Sequence, residues 1–215
     1  MSALRDQQLA TLPARPALVV VDVQRSFADP VMIADYQPDL KAVAGAVEGI
    51  ADLVRIARDA GVPVVWVELG SEPENRWRAS QWLRGGDPDA PYGPEEPCVL
   101  GTTGAEWYGM APQDDEIRVV KRGYSGFLGT TLEQQLRDAG IGWLAVCGLT
   151  TECCVAATAT DAFQLEWPVL IPQDAVAAYD PEVHEAALAQ LALNVAVLTD
   201  SGELTKLFAA KEVTP

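Results

Sequence analysis

Two adjacent cysteines, Cys153 and Cys154, stand where an apolar run ending at Gly148 gives way to an Ala-rich helical pattern beginning near Glu152. A cysteine in the first turn of a helix lies among backbone N–H groups without helical partners, at the positive end of the helix dipole. Both features favour the thiolate, the nucleophilic form, so the pattern predicts a thiol of lowered pKa. The same N–H groups can hold the oxyanion of a carbonyl under attack. Two other reactive groups end apolar runs in a similar way. Asp22 interrupts the run 17–24 near its C-terminal end, and Lys121 closes the run 117–121. A carboxylate can take a thiol proton and later return it to a leaving amine. A lysine beside it holds the carboxylate and stabilises negative charge on sulfur or substrate. Together these residue types describe acyl-transfer chemistry. Taken singly, each has a plainer reading: a buried structural thiol, a turn aspartate, a solvated strand-end lysine.

The elements around them supply the reason to take the three together. The continuous apolar runs 17–24, 62–68, 117–121, 141–148, 167–171 and 194–198 read as six strands buried on both faces of a parallel sheet. Helical spacing of apolar residues alternates with them over 38–60, 130–139, 152–165 and 181–193, with a short helix at the C-terminus. Residues 1–16 read as a polar lead-in. Alternation of this kind predicts a doubly wound, mainly parallel α/β sheet flanked by helices in a Rossmann-like three-layer arrangement. Open α/β sheets bind ligands beyond the carboxyl ends of their strands, which is where Asp22, Lys121 and the cysteines fall.

The expected organisation is one domain over 1–215, with the Pro- and Gly-rich stretch 70–115 as an insert that serves as a lid or an oligomer contact. That stretch carries Trp77, Trp82, Tyr92, Trp107 and Tyr108 together with Arg76, Arg78 and Arg84. The glycine-rich turn 123–129 matches neither GxGxxG nor GxxxxGK[ST], so nucleotide binding gains no support.

Composition narrows the classes of partner. A formal net charge of −16 argues against nucleic acid or an anionic membrane surface. No apolar run approaches a membrane span, and the N-terminal residues lack the core of a signal peptide. Four cysteines without a CxxC pair predict a cytoplasmic protein with free thiols. The single histidine, His184, cannot build a His-based zinc site, and its helical setting predicts a surface or interface residue. Neither metal nor cofactor is expected.

Three blocks of sequence carry a resemblance. They are Val19–Phe27 (VVVDVQRSF), Val120–Leu132 (VKRGYSGFLGTTL) and Gly148–Ala162 (GLTTECCVAATATDA). In this order they resemble the signatures of the isochorismatase-like cysteine hydrolases, in particular the branch acting on N-carbamoyl and ureido compounds. The resemblance extends over most of the chain, including Asp174, Ala175 and the His184 helix. It implies a six-stranded parallel sheet and a triad of Asp22 as general base, Lys121 as its partner and Cys154 as nucleophile. The pattern Gly-x-x-Thr-x-x-Cys-Val selects Cys154 over Cys153, a choice that periodicity leaves open. It further implies a cis peptide between Leu149 and Thr150, an oxyanion hole from the N–H groups of Thr150 and Cys154, and a homodimer or homotetramer. Phe27, Tyr124 and Phe127 from the signature blocks, with Trp77, Trp82 and Arg84, are the expected substrate contacts. Nicotinamidases of this family hold zinc through an Asp and two histidines, a set this chain cannot supply. The name-giving isochorismatases cleave a vinyl ether without a nucleophilic cysteine. The expectation is therefore metal-independent hydrolysis of a small amide, N-carbamoyl or ureido compound through a thioester. The alternatives are a non-amide hydrolase or a non-catalytic binding protein on the same fold.

Overall fold

The computed structural model describes residues 2–36, 38–75, 77–87, 89–90 and 96–210. Its strands are β1 (Pro16–Val21), β2 (Val64–Leu69), β3 (Ile117–Lys121), β4 (Trp143–Leu149), β5 (Val169–Pro172), β6 (Val176–Ala177) and β7 (Val197–Thr199). Its helices are α1 (Ser2–Ala10), α2 (Arg25–Ala28), α3 (Leu40–Asp59), α4 (Arg78–Leu83), α5 (Leu132–Asp138), α6 (Ala156–Gln164), α7 (Pro181–Asn194) and α8 (Ser201–Ala209). The sheet order is β3-β2-β1-β4-β5-β7, all parallel, with β6 beside the end of β4. Helices flank this sheet in a three-layer α/β fold. Every residue of β1 and β4 is buried, as unbroken apolar runs covered on both faces require.

The helices begin where the sequence offers a cap. Asp39 receives the Lys41 and Ala42 N–H groups at the head of α3, and Asp180 receives those of Glu182 and Val183 at α7. Each cap satisfies two orphan donors of the first turn. Helix α3 packs against β1, β2, β4 and α8, and α6 packs against β4, β5 and α7.

Three features differ from the sequence-based expectation. The polar lead-in forms α1, docked by Arg5, which pairs with Glu203 and donates to the Leu198 carbonyl at 3.0 Å. The seventh strand is β6, only two residues long and too short to leave a periodic signature. Within 70–115 the chain builds α4 and two short 3₁₀ turns, and it returns to the sheet through Trp107, whose ring meets Trp66 edge-on at 4.7 Å.

The site lies where the chain reverses its direction of winding. From β1 it proceeds outward to β2 and β3, then crosses back to β4 on the other side of β1. The ends of adjacent parallel strands diverge at such a switch point and leave a crevice. Gly148 lies in register with Val21, with φ +128°, and a Cβ there would strike the Val21 carbonyl. Glycine is what lets the two strand ends run this close.

Candidate active site

Asp22 follows β1 directly and is fully buried. Its backbone is left-handed, with φ +52°, a conformation costing a non-glycine residue about 1–2 kcal/mol. The Asp22 N–H donates to the Val67 carbonyl at 2.8 Å, tying the residue to β2. Two residues on, buried Gln24 clips the neighbourhood together. Its amide donates to the carbonyls of Leu69 and Ala105, each at 3.0 Å, and accepts the Leu69 N–H at 2.9 Å. Sequence reasoning did not single out Gln24; a glutamine inside an apolar run was the available signal.

Lys121 ends β3 in register with Leu69 of β2, so its stem must pass the end of β2 to reach β1. The ammonium is fully buried and has three partners: Asp22 Oδ2 at 2.7 Å, the Gly123 carbonyl at 2.9 Å and Cys154 Sγ at 3.3 Å. Two hydrogen bonds and one ion pair surround it, and a buried ammonium needs such partners. Burial pulls the Lys121 pKa down, but the charges of Asp22 and Cys154 carry it above the usual lysine value. Burial raises the Asp22 carboxyl above its ordinary value, while Lys121 and the hydrogen-bonded Cys154 thiol draw it back.

The cysteines occupy a wide, π-type turn, Thr151–Val155, between β4 and α6. The Thr150 carbonyl receives the N–H groups of Cys153 and Val155, both at 3.2 Å. The Leu149–Thr150 peptide bond is cis. Cys154 is buried and directed to Lys121 and Asp22, whereas Cys153 is half-buried beside Tyr124. Contact with the Cys153 thiol, burial and the Asp22 charge push the Cys154 pKa well above the ordinary thiol value, despite Lys121. The lowered thiol is Cys153, favoured by its hydrogen bonds with Cys154 and Tyr124 and by the Lys121 charge, against burial. Cys98 and Cys147 are sealed in the protein, and burial raises both.

Cys153 and Cys154 open onto a cavity of about 220 Å³. Phe27, Trp77, Arg84 and Tyr124 line it, with Trp77 edge-on to Tyr124 at 4.3 Å. Thr150 also reaches this wall. Two expected contacts fall elsewhere. Phe127 is buried in the core, stacked on Trp167 at 5.8 Å, because its turn points the ring inward. Trp82 is 73% exposed on the outer face of α4. Arg78 pairs with Asp89 on the surface, while Arg76 and Tyr92 lie outside the described residues. Tyr36 and Tyr179 are cavity residues that sequence reasoning missed, stacked at 5.4 Å with the Tyr179 hydroxyl donating to the Phe27 carbonyl. Tyr179 follows β6 closely, so the strand-end rule would have found it had that strand been legible. The cavity cations are already engaged: Arg84 with Glu96 at 3.4 Å and Arg122 with Glu72 at 3.8 Å.

His184 is neither a free surface residue nor part of a ligand set. It is half-buried on α7, with Nδ1 2.9 Å from Thr151 Oγ1. The described residues contain no grouping of three or more His, Cys, Asp or Glu side chains able to hold a metal ion. No described helix is long and apolar enough to cross a membrane.

Comparison with known proteins gives this geometry a setting. The sequence model of the Isochorismatase domain matches residues 16–203. A ureidoacrylate amidohydrolase, RutB, of Methylobacterium radiotolerans is 31% identical over 205 residues, covering 87% of this chain and 77% of the relative. The solved N-carbamoylsarcosine amidase of Thermoplasma acidophilum superposes with a TM-score of 0.70 at 26% identity, over 87% of this chain and 96% of that one. The pyrazinamidase of Pyrococcus horikoshii, solved in complex with zinc, gives a TM-score of 0.68 at 30% identity, over 86% and 99% of the two chains. The donor set of this chain does not fit a zinc site of three or more such side chains among the described residues.

Proposed function

The chain belongs to the isochorismatase family of hydrolases, and on that premise we propose that it is a cysteine amidohydrolase. Its substrate is a small amide, N-carbamoyl or ureido compound whose C–N bond is cleaved. The observation that supports this reading is the buried ammonium of Lys121, which bridges the Asp22 carboxylate at 2.7 Å and the Cys154 sulfur at 3.3 Å beside a small cavity.

Attack by Cys154, whose pKa burial and its neighbours push upward, needs a base, and Asp22, held against the same Lys121 ammonium, is that base. Asp22 takes the thiol proton as sulfur bonds to the carbonyl carbon. The developing oxyanion is held by the Thr150 and Cys154 N–H groups. Asp22 returns the proton to the departing nitrogen, and the C–N bond breaks to leave an acyl- or carbamoyl-thioester. Water, deprotonated by Asp22, then attacks the thioester carbon; the C–S bond breaks to release the acid or carbamate, and the Cys154 thiolate takes the proton back from Asp22. Lys121 keeps the carboxylate in place and offsets the negative charge that moves from oxygen to sulfur. No step uses a metal.

The similar proteins, a ureidoacrylate amidohydrolase and an N-carbamoylsarcosine amidase, favour a carboxylate-bearing ureido or carbamoyl substrate. Arg84 is its expected partner, exchanging Glu96 for the ligand. The segment containing α4 then works as a lid over one domain, and exposed Trp82 is left as the aromatic for a homodimer or homotetramer contact.

An ammonia-release screen over small amides, N-carbamoyl amino acids and ureido acids tests the proposal, with Cys154→Ala as the blank. At least one compound should release ammonia in a Cys154-dependent way, unaffected by a chelator. Equal turnover by the Cys154→Ala protein, or cleavage confined to esters or vinyl ethers, would overturn it.

A further inference from the structure

The one histidine of the sequence touches the turn that carries both cysteines. His184 Nδ1 lies 2.9 Å from Thr151 Oγ1. Thr151 is fully buried and opens the turn, three residues before Cys154. Helix α7 packs along this turn, and its own start is fixed by Pro181 and by the Asp180 cap at 2.8 and 3.1 Å. The imidazole therefore projects from a stiff element onto a short segment of irregular backbone. A hydroxyl both donates and accepts, so the contact is compatible with either neutral tautomer and with the imidazolium.

We propose that His184 is a positioning residue for the nucleophile: through the Thr151 hydroxyl it fixes the turn so that the Cys154 sulfur meets Lys121 and Asp22. A sulfur that drifts by a fraction of an ångström from the Lys121 ammonium, now 3.3 Å away, loses the charge that supports its thiolate. A lost hydrogen bond of this kind then appears in turnover more than in substrate affinity, because Phe27, Trp77 and Arg84 of the cavity lie on other elements. The inference rests on the reading of Cys154 as the nucleophile.

Asparagine places a polar atom near the position of imidazole Nδ1, and glutamine reaches instead toward Nε2. The test therefore compares His184→Asn, His184→Gln, His184→Ala, Thr151→Val and the Ala/Val double variant of the full chain. Two measurements are made well below each melting temperature: kcat and KM for ammonia release, and the pH dependence of Cys154 alkylation by iodoacetamide, mapped by peptide mass. His184→Ala and Thr151→Val should each lower kcat about tenfold with KM changed less than about twofold. The double variant should be no worse than either single one. In both single variants the alkylation midpoint of Cys154 should rise, and His184→Asn should restore it where His184→Gln does not. Equal behaviour of the Asn and Gln variants, additive losses, or an unmoved alkylation midpoint would overturn the proposal. The alkylation arm uses no substrate, so it decides the role of His184 even if no C–N substrate is turned over.

Discussion

The junction of β1, β3 and β4 and the segment from Gly70 to Tyr108 meet at one cavity but are built in opposite ways. At the junction, Asp22 and Lys121 are fully buried as an ion pair, and the ammonium also donates to the Gly123 carbonyl and to Cys154 Sγ. In the segment, α4 carries no buried residue, and its charges pair near the surface as Arg78–Asp89 and Arg84–Glu96. A pair sealed from water gains much from its geometry and loses much when one member is removed, whereas exposed pairs contribute little. The difference fits the proposed division, with chemistry at the strand ends and selection of substrate in the segment. Reactive groups need fixed distances, and rigid strands supply them; a surface segment can change without disturbing the core.

The sharpest way to break this comparison is at the junction. Cys154→Ser and Asp22→Asn should each lower kcat by at least about a thousandfold with the fold intact, as loss of a nucleophile or its base does. Steady-state rates with circular dichroism check this, and residual activity above about a tenth of the parent protein would remove the residue from the triad.

Next in size is Lys121→Met, which leaves Asp22 buried without its counter-charge and should cost about 3–5 kcal/mol. The cost should depend on pH. The Asp22 pKa is already raised by burial and rises further without Lys121. A carboxyl raised in the folded state favours folding at low pH, and that contribution is lost as pH rises through the folded value. Thermal melts should show the variant closer to the parent protein at pH 5 than at pH 8. A deficit independent of pH would mean that the ion pair is not what Lys121 contributes. In the parent protein, the acid limb of kcat/KM should fall above the ordinary aspartate value of about 4, because Asp22 must be ionised to accept the proton.

A smaller effect sharpens the contrast between the two cysteines. Iodoacetamide at neutral pH should label half-buried Cys153, whose pKa is lowered, before Cys154, whose pKa is raised, with Cys98 and Cys147 untouched. Peptide mapping of the first adduct decides it, and first labelling at Cys154 would reverse the assignment of the two thiols. In the segment, Arg84→Ala should raise KM about fivefold for carboxylate-bearing substrates and leave kcat and neutral substrates nearly unchanged. A fall in kcat there instead would bring the segment into the chemistry.

Read alone, the sequence placed Asp22, Lys121 and the cysteines at strand ends that share one edge of the sheet. Valine-rich runs ending in Asp22, Lys121 and Gly148 announce parallel strands, and parallel strands deliver their C-terminal ends to one edge. That is a property of backbone topology, readable from periodicity. The three signature blocks added the identity of the family, and with it the expectation that Cys154 rather than Cys153 is the nucleophile. Tertiary structure decided the rest, because side-chain direction and solvent exclusion are not local. Phe127 and Trp82 looked like Phe27 and Trp77 in the sequence, yet one ring turns into the core and the other out to water. Helix α1 owes its place to Arg5 meeting Glu203, nearly two hundred residues away. The first-turn position of the cysteines points to a lowered thiol pKa, but the Cys153 thiol, burial and the Asp22 charge push that of Cys154 the other way. His184 read as a surface histidine because nothing near it in the chain shows that α7 folds onto Thr151. Periodicity encodes which face of an element is buried; which groups then share a dry space depends on elements far apart in the chain.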